Sequence, residues 1–282
     1  MLQRSAFIDL LKVLLTVGIV FRHSELVGLE GISPAFDTFT RAMMAATGIC
    51  VPLFFVISGY LFFLNVPEKP GVQFFIDKWR RRILSLLVPY IIANALAFVA
   101  YWAAYRFAPG MMSGYLGDNW KNPLFIFWTG PENMSLWFIR DLIIAVLTAP
   151  LAWLLVRYTK IWGVLALAIV CLHFGMRPWY NLWFIAGAWL AVSGIHIHDP
   201  QWLPHLAPAW QAWCFFVYLY HYIPVISLKK VFAALLHPAG FASLFASYMA
   251  TALVTLTVVS ALFLFMKKFT PRTAGVLVGG KL

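Results

Sequence analysis

Charged side chains are scarce in this sequence. Only 11% of its 282 residues are Asp, Glu, Lys or Arg, whereas 62% are hydrophobic and 17% are aromatic. Soluble domains average about 25% charged residues, so this composition excludes a protein whose whole surface faces water. Apolar runs of about 18 residues or more recur, each long enough to cross roughly 30 Å of hydrocarbon. The sequence therefore predicts an all-α fold, a polytopic transmembrane helical bundle.

Acidic residues and cysteines are also few. The sequence has 10 acidic residues and 21 Lys and Arg, which gives a net charge of +11. The basic residues stand in short segments beside apolar runs, which is typical of topology signals and lipid-headgroup contacts rather than of nucleic-acid binding. Cys50, Cys171 and Cys214 are isolated in apolar segments, without the spacing of a disulfide framework or a zinc site. We therefore expect membrane lipids among the partners, and neither nucleic acid nor a metal.

The sequence also lacks internal repeats, low-complexity tracts and linkers, so we expect one integral-membrane domain over residues 1–282. Arg4 precedes an apolar run as in a signal peptide, but Lys12 interrupts that run and no cleavage site follows, so it is kept as the first span. Segment 123–130 is expected to be re-entrant or interfacial. The predicted spans, about eight, are 7–26, 43–65, 83–105, 136–156, 161–176, 179–195, 208–226 and 241–266.

The distribution of Lys and Arg predicts the orientation. With the N-terminus in the cytoplasm, twelve of these residues fall on the inner side, six on the outer side and three within spans. The positive-inside rule therefore predicts that both termini are cytoplasmic. The densest basic cluster is expected in a loop over 66–82, which holds Lys69, Lys78, Arg80, Arg81 and Arg82.

The first apolar run carries Lys12, Arg22 and His23. Lys12 and His23 are eleven positions apart, so on a helix they share one face, about 16 Å apart along the axis. One explanation is structural: Lys12 reaches the inner headgroups, and Arg22 and His23 end the helix at the outer surface. The other is functional, because ionisable groups are costly to bury in a membrane and such residues are candidates for a site.

Further polar residues are predicted at the depth of His23. Arg140 and Asp141 lie in "SLWFIRDLI" (135–143), and Tyr218 and His221 in "VYLYHYIP" (217–224). His173 is expected at the outer end of the fifth span. These side chains would meet His23 around a cavity open to the outer side.

Three consecutive arginines, Arg80 to Arg82, are predicted at the inner end of the third span. Guanidinium groups pair bidentately with phosphate oxygens, so this triplet suits a phosphorylated ligand. Taken alone, the triplet is explained more simply as a topology anchor.

Six motifs, in order along the chain, resemble the membrane acyltransferase 3 family, whose members acylate bacterial surface sugars. Lys12 and His23 match its Arg/Lys–ten residues–His motif. The remaining matches are "LFFVISGYLF" (53–62, with Ser58), "KWRRRILSLLVPY" (78–90), "SLWFIRDLI" (135–143), "NLWFIAGAWLA" (181–191) and "FFVYLYHYIPV" (215–225). Family members commonly have ten core spans, so the resemblance implies eight to ten here.

The resemblance implies an O-acyltransferase in the bacterial inner membrane. Its donor would be cytoplasmic acyl-CoA, with acetyl-CoA expected, and its acceptor a sugar hydroxyl of a cell-envelope or secreted glycan, or of a lipid-linked sugar. His23 would act as the base or carry the acyl group, Asp141 would orient a histidine, and Arg140 would steady an oxyanion or the acceptor. The expected donor contacts are Lys12, Ser58, Arg80, Arg81 and Arg82, and the expected sugar contacts are Trp137, Tyr218 and His221.

Other readings of the same residues remain open. A transporter or flippase would use Lys12, His23, Arg140 and Asp141 as a proton or anion relay, although the sequence lacks the repeated halves of many transporters. A structural membrane subunit would leave the ordered motifs unexplained. His196, His198, Asp199 and His205 resemble a set of metal ligands, but we interpret their segment as a polar interfacial loop.

Overall fold

The computed structural model describes residues 5–107, 128, 133–174 and 179–282, and these residues form helices and connecting segments without a β-strand. This confirms the all-α prediction. The helices, numbered here in chain order, are α1 (Ala6–His23), α2 (Pro34–Thr47), α3 (Cys50–Phe63), α4 (Val72–Phe107), α5 (Trp137–Leu147), α6 (Ala149–His173), α7 (Trp179–Val192), α8 (Ala209–Tyr220), α9 (Tyr222–Leu236), α10 (Phe241–Phe269) and α11 (Pro271–Leu277).

Within this part of the chain, four helical segments are long and apolar enough to cross a membrane. They are Pro34–Phe63, which joins α2 and α3, Val72–Ala104, Ala149–His173 and Phe241–Phe269. The pair α8 and α9, bent by 58°, makes a fifth if it is one span. α1 is not among them, since its 18 residues include Asp9, Lys12 and Arg22. The membrane character is thus supported, while the count of eight spans stays a prediction.

The predicted loop over 66–82 is wrong from Val72 onward. α4 begins at Val72, directly after Pro70 and Gly71, and runs without a break past Lys78 and the three arginines. Lys and Arg are good helix formers, so only the apolar part of this helix is visible to a hydropathy count. The basic cluster therefore has a fixed helical spacing, and Arg80, Arg81 and Arg82 point in different directions.

Two predicted spans differ from the structure, and one predicted break coincides with a kink. The span predicted over 136–156 is broken at Thr148, and α6 starts with Pro150 in its first turn, where proline is tolerated. The break expected before residue 161 is a kink inside α6, at Lys160 (φ 53°, ψ −137°). The span predicted over 208–226 is bent at His221 and continues as α9 to Leu236. Of the segment 123–130, all but Trp128 lies outside the described residues.

The closest helix packing joins α3 and α7. A Cβ atom on Gly59 would overlap the carbonyl oxygen of Phe184, and one on Gly187 would overlap the carbonyl oxygen of Val56. Small residues allow membrane helices to approach to backbone contact, which compensates for the weak hydrophobic drive between helices in lipid. This contact fixes α3, which carries Ser58, against the rest of the bundle.

The loop after α7 holds the start of α1. The Asp199 carboxylate accepts hydrogen bonds from the Ser5 hydroxyl (2.7 Å) and from the backbone N–H groups of Ala6 (2.8 Å) and Phe7 (3.0 Å). The hydrogen bond from Ser5, and then those from the backbone, lower the pKa of Asp199 below its usual value. A carboxylate at a helix N-terminus satisfies unpaired donors and favours the helix dipole. Asp199 therefore holds the start of α1 in place.

Candidate active site

His23 is the last residue of α1 and is half-buried. The centroid of its ring lies 5.3 Å from that of His221 and 5.5 Å from that of Tyr222, which it meets edge-on. The expected meeting of His23 with His221 is therefore present. Tyr222 was not among the predicted site residues, although it stands beside His221 in the same motif.

His23 lines a cavity of about 590 Å³, called here the His23 cavity. A volume of this order is typical of small-molecule sites. The guanidinium of Arg22 is held in place, since its Nη1 donates to the carbonyl of Met44 (2.8 Å). The polar residues that line the cavity are Arg22, His23, Glu25, Tyr222, Lys229 and Lys230. Positive charge thus predominates around the imidazole.

His221 stands at the bend between α8 and α9 and is fully buried. Its Nδ1 lies 3.0 Å from the carbonyl oxygen of Val217 and 2.9 Å from that of Tyr218, so Nδ1 carries the proton that it donates. Nε2 is then the acceptor nitrogen, and it has no hydrogen-bond partner in the described part of the chain. The bend therefore presents a buried imidazole of fixed tautomer next to His23.

A second cavity, of about 240 Å³, is called here the Lys12 cavity. Its polar lining residues are Lys12, Ser58, Arg82, Gln211, Tyr218 and Lys281. Three of the predicted donor-binding residues thus meet at one place. Arg80 and Arg81 do not line it, and both side chains are exposed. Lys281 was missed, because nothing in the sequence relates a residue after the last helix to Lys12.

Ring contacts of Tyr218 and His221 lead from the Lys12 cavity to His23. Tyr218 lines the Lys12 cavity and donates a hydrogen bond from its hydroxyl to the carbonyl of Ser135. Its ring centroid lies 6.2 Å from that of His221, which in turn contacts His23. α1 also contributes to both cavities, since it carries Lys12 in one and His23 in the other.

Arg140 and Asp141 form an ion pair apart from both cavities. Arg140 Nε lies 2.8 Å from Asp141 Oδ1, and Arg140 Nη1 donates to the carbonyl of Trp128 (3.0 Å). Asp141 is thus paired with an arginine rather than with a histidine. Neither residue lines the His23 or the Lys12 cavity.

Two further predicted positions lie away from the cavities. Trp137 is half-buried and packs against the main hydrophobic core. His173 is exposed at the end of α6, with its ring 4.9 Å from that of Phe174.

Comparison with known proteins shows the family of this chain. The acyltransferase-domain family (acyltransferase 3) matches residues 5–209, a range that includes Lys12, His23, Ser58 and Arg82. The succinoglycan biosynthesis protein ExoH of Rhizobium meliloti (strain 1021) is 32% identical over 215 residues, which cover 68% of this chain and 55% of ExoH. The chain thus spans about half the length of this relative. No solved structure matches. Since the family match covers well over half of the chain and includes the residues that line both cavities on α1, α3 and α4, the protein belongs to the acyltransferase 3 family.

Proposed function

We propose that the protein is a membrane O-acyltransferase that moves an acyl group, with acetyl expected, from acyl-CoA to a sugar hydroxyl. Membership of the acyltransferase 3 family supports acyl transfer as the reaction. The name of ExoH refers to succinoglycan biosynthesis, which supports a glycan of the cell envelope or a secreted glycan as the acceptor. In this proposal the protein lies in the bacterial inner membrane with both termini in the cytoplasm, so that the donor arrives from inside.

One observation carries the proposal: a single helix bears Lys12 in one cavity and His23 in another. At 1.5 Å per residue the two positions are about 16 Å apart along the axis. An extended pantetheine arm has a comparable length. A donor whose phosphates are held near Lys12 would therefore bring its thioester toward His23.

The Lys12 cavity is assigned to the donor. Arg82 and Lys12 would hold phosphate oxygens, with the guanidinium able to bind two of them at once. Ser58 adds a hydroxyl that can donate or accept a hydrogen bond. Arg80 and Arg81, which are exposed, are left to interact with lipid headgroups.

The His23 cavity is assigned to the acceptor and the chemistry. A neutral imidazole takes the proton of the sugar hydroxyl as its oxygen attacks the thioester carbonyl. The carbon–sulfur bond then breaks, the sulfur leaves with the electron pair, and the proton passes to it, so that the products are the sugar ester and CoA. A route in which the acyl group first bonds to His23 uses the same residues.

The test compares His23→Ala with His173→Ala, which removes an exposed imidazole from outside both cavities. Each protein is purified as the full chain in nanodiscs, and its binding of CoA is measured. In cells that make each variant, the acetylation of envelope glycans is measured by mass spectrometry. We expect His23→Ala to lower acetyl transfer by about 10²- to 10⁴-fold while CoA binding is retained, and His173→Ala to behave as wild type.

Two results would contradict the proposal. Acetyl transfer at the wild-type rate in His23→Ala would show that His23 is not needed for the reaction. A wild-type protein that binds no acyl-CoA but moves a glycan across the membrane would instead support the transporter, in which the bend at His221 acts as a discontinuous helix.

A further inference from the structure

The C-terminal segment folds back onto the bundle and reaches the Lys12 cavity. Val278 is fully buried. Gly279 adopts a positive φ of 64° and lies so close to α4 that a Cβ atom would overlap the carbonyl group of Ser85. Lys281 follows two residues later and lines the Lys12 cavity. It lies outside the residues matched by the family.

Lys281 adds positive charge where little negative charge is available. Lys12 has Asp9 at 3.8 Å. In the part of the chain that the structure describes, neither Arg82 nor Lys281 is paired with a carboxylate. The Nζ of Lys281 instead lies 3.0 Å from the centroid of the Phe215 ring, a contact that offsets part of the cost of burying a cation.

The electrostatics of this group favour an anion. Burial, and then the positive charges of Arg82 and Lys12, lower the pKa of Lys281. The three cations are half-buried and have one carboxylate, that of Asp9, among them, and like charges brought together in partly buried positions destabilise the protein. A bound anion would relieve both the desolvation and the mutual repulsion.

We propose that Lys281 completes a phosphate-binding site together with Arg82 and Lys12. The three side chains combine a planar, bidentate guanidinium with two point charges, a combination suited to phosphate oxygens. The phosphate can come from CoA, in which case the site rests on the function proposed above, or from the headgroup of an anionic phospholipid. In either case Lys281 is a binding residue supplied by the C-terminal segment.

The experiment compares Lys281→Gln and Lys281→Arg with Lys268→Gln. Lys268 is the matched control, because it is also C-terminal and contacts an aromatic ring, that of Phe269 at 5.2 Å, but is exposed and lines neither cavity. Each full-length protein is placed in phosphatidylcholine nanodiscs, with or without phosphatidylglycerol. Affinity is measured for CoA and for pantetheine, which has no phosphate, and thermal unfolding is followed in both lipids.

If the phosphate is that of CoA, Lys281→Gln weakens CoA binding by about ten-fold or more, leaves pantetheine binding unchanged, and is rescued by Lys281→Arg. If it is that of a lipid, phosphatidylglycerol raises the unfolding temperature of wild type and Lys268→Gln but not of Lys281→Gln. The inference is overturned if Lys281→Gln matches Lys268→Gln in both measurements. Failure of the proposed function differs from this, since wild type itself would then bind no CoA.

Discussion

Gly59 on α3 packs against α7, and Gly187 on α7 packs against α3. At either position a side chain would overlap a backbone carbonyl of the other helix. The relationship is reciprocal, since Gly59 meets the carbonyl of Phe184 and Gly187 meets that of Val56. Because backbone atoms cannot move aside as a flexible side chain does, this contact sets the distance between the two helices. Ser58, next to Gly59, owes its place in the Lys12 cavity to this packing.

The first prediction concerns this contact. Gly59→Ala or Gly187→Ala should push α3 and α7 apart and cost about 1–3 kcal/mol of stability, as overpacking does. Thermal unfolding in detergent measures the change. Gly71→Ala is the control, because nothing lies within 4 Å of a Cβ at that position. Equal unfolding temperatures for Gly59→Ala and Gly71→Ala would show that the contact is not tight.

The second prediction separates the arginines of α4. Arg82 lines the Lys12 cavity, whereas Arg80 is exposed. Arg82→Gln should therefore weaken CoA binding by about ten-fold or more, the usual effect of losing a hydrogen bond to a charged group. Arg80→Gln removes the same charge two residues away and should change the affinity little. The order would be reversed if the ligand bound on the exposed face of α4.

The third prediction concerns His221 as a positioning residue. His221→Asn keeps a donor near the position of Nδ1, so the carbonyls of Val217 and Tyr218 stay satisfied and the bend should persist. It removes Nε2 and the ring that contacts His23. We expect kcat to fall by about ten- to hundred-fold, as for a misplaced catalytic group, with KM for acyl-CoA unchanged.

Thermal unfolding of His221→Asn serves as the control for folding. A variant that is fully stable and has the wild-type kcat would show that the contact between the two imidazoles does not matter for transfer.

The fourth prediction is a pH dependence of stability from Asp199. Since hydrogen bonds lower its pKa in the folded state, its stabilising effect is complete above the unfolded value of about 3.9. The effect is lost as the pH falls through the lower folded value. Wild type should therefore lose more stability than Asp199→Asn between neutral pH and pH values below about 4.

Thermal unfolding as a function of pH measures this difference. Asp77→Asn is the control, since the exposed Asp77 carboxylate accepts a hydrogen bond from Gln73 on its own helix. Parallel curves for wild type and Asp199→Asn would refute the role of Asp199 at the start of α1.

Hydropathy predicted the helices but not their ends. An apolar count finds the part of α4 that faces lipid or core, yet it misses about the first three turns, where Lys and Arg continue the same hydrogen-bonding pattern. The bend at His221 is hidden for a different reason. Pro224 lies in the first turn of α9, where a proline is compatible with a helix, so its presence alone does not predict the 58° change of direction.

The candidate site was predictable where it depends on spacing within one helix or on short motifs. The eleven-residue interval predicts that Lys12 and His23 share a face of α1, and both line cavities. What could not be predicted depends on tertiary packing. Lys281 reaches the Lys12 cavity only because Gly279 passes against α4, and Asp141 is paired with Arg140, one residue before it, rather than with a distant histidine.

α1 also limits how such a protein can work. A helix is stiff along its axis, so the separation of Lys12 and His23 does not change when neighbouring helices shift. A tilt of α1 changes the positions of both residues but leaves the distance between them unchanged. If the protein transfers acyl groups as proposed, the acyl donor therefore has to span this constant distance, since no movement of α1 can shorten it.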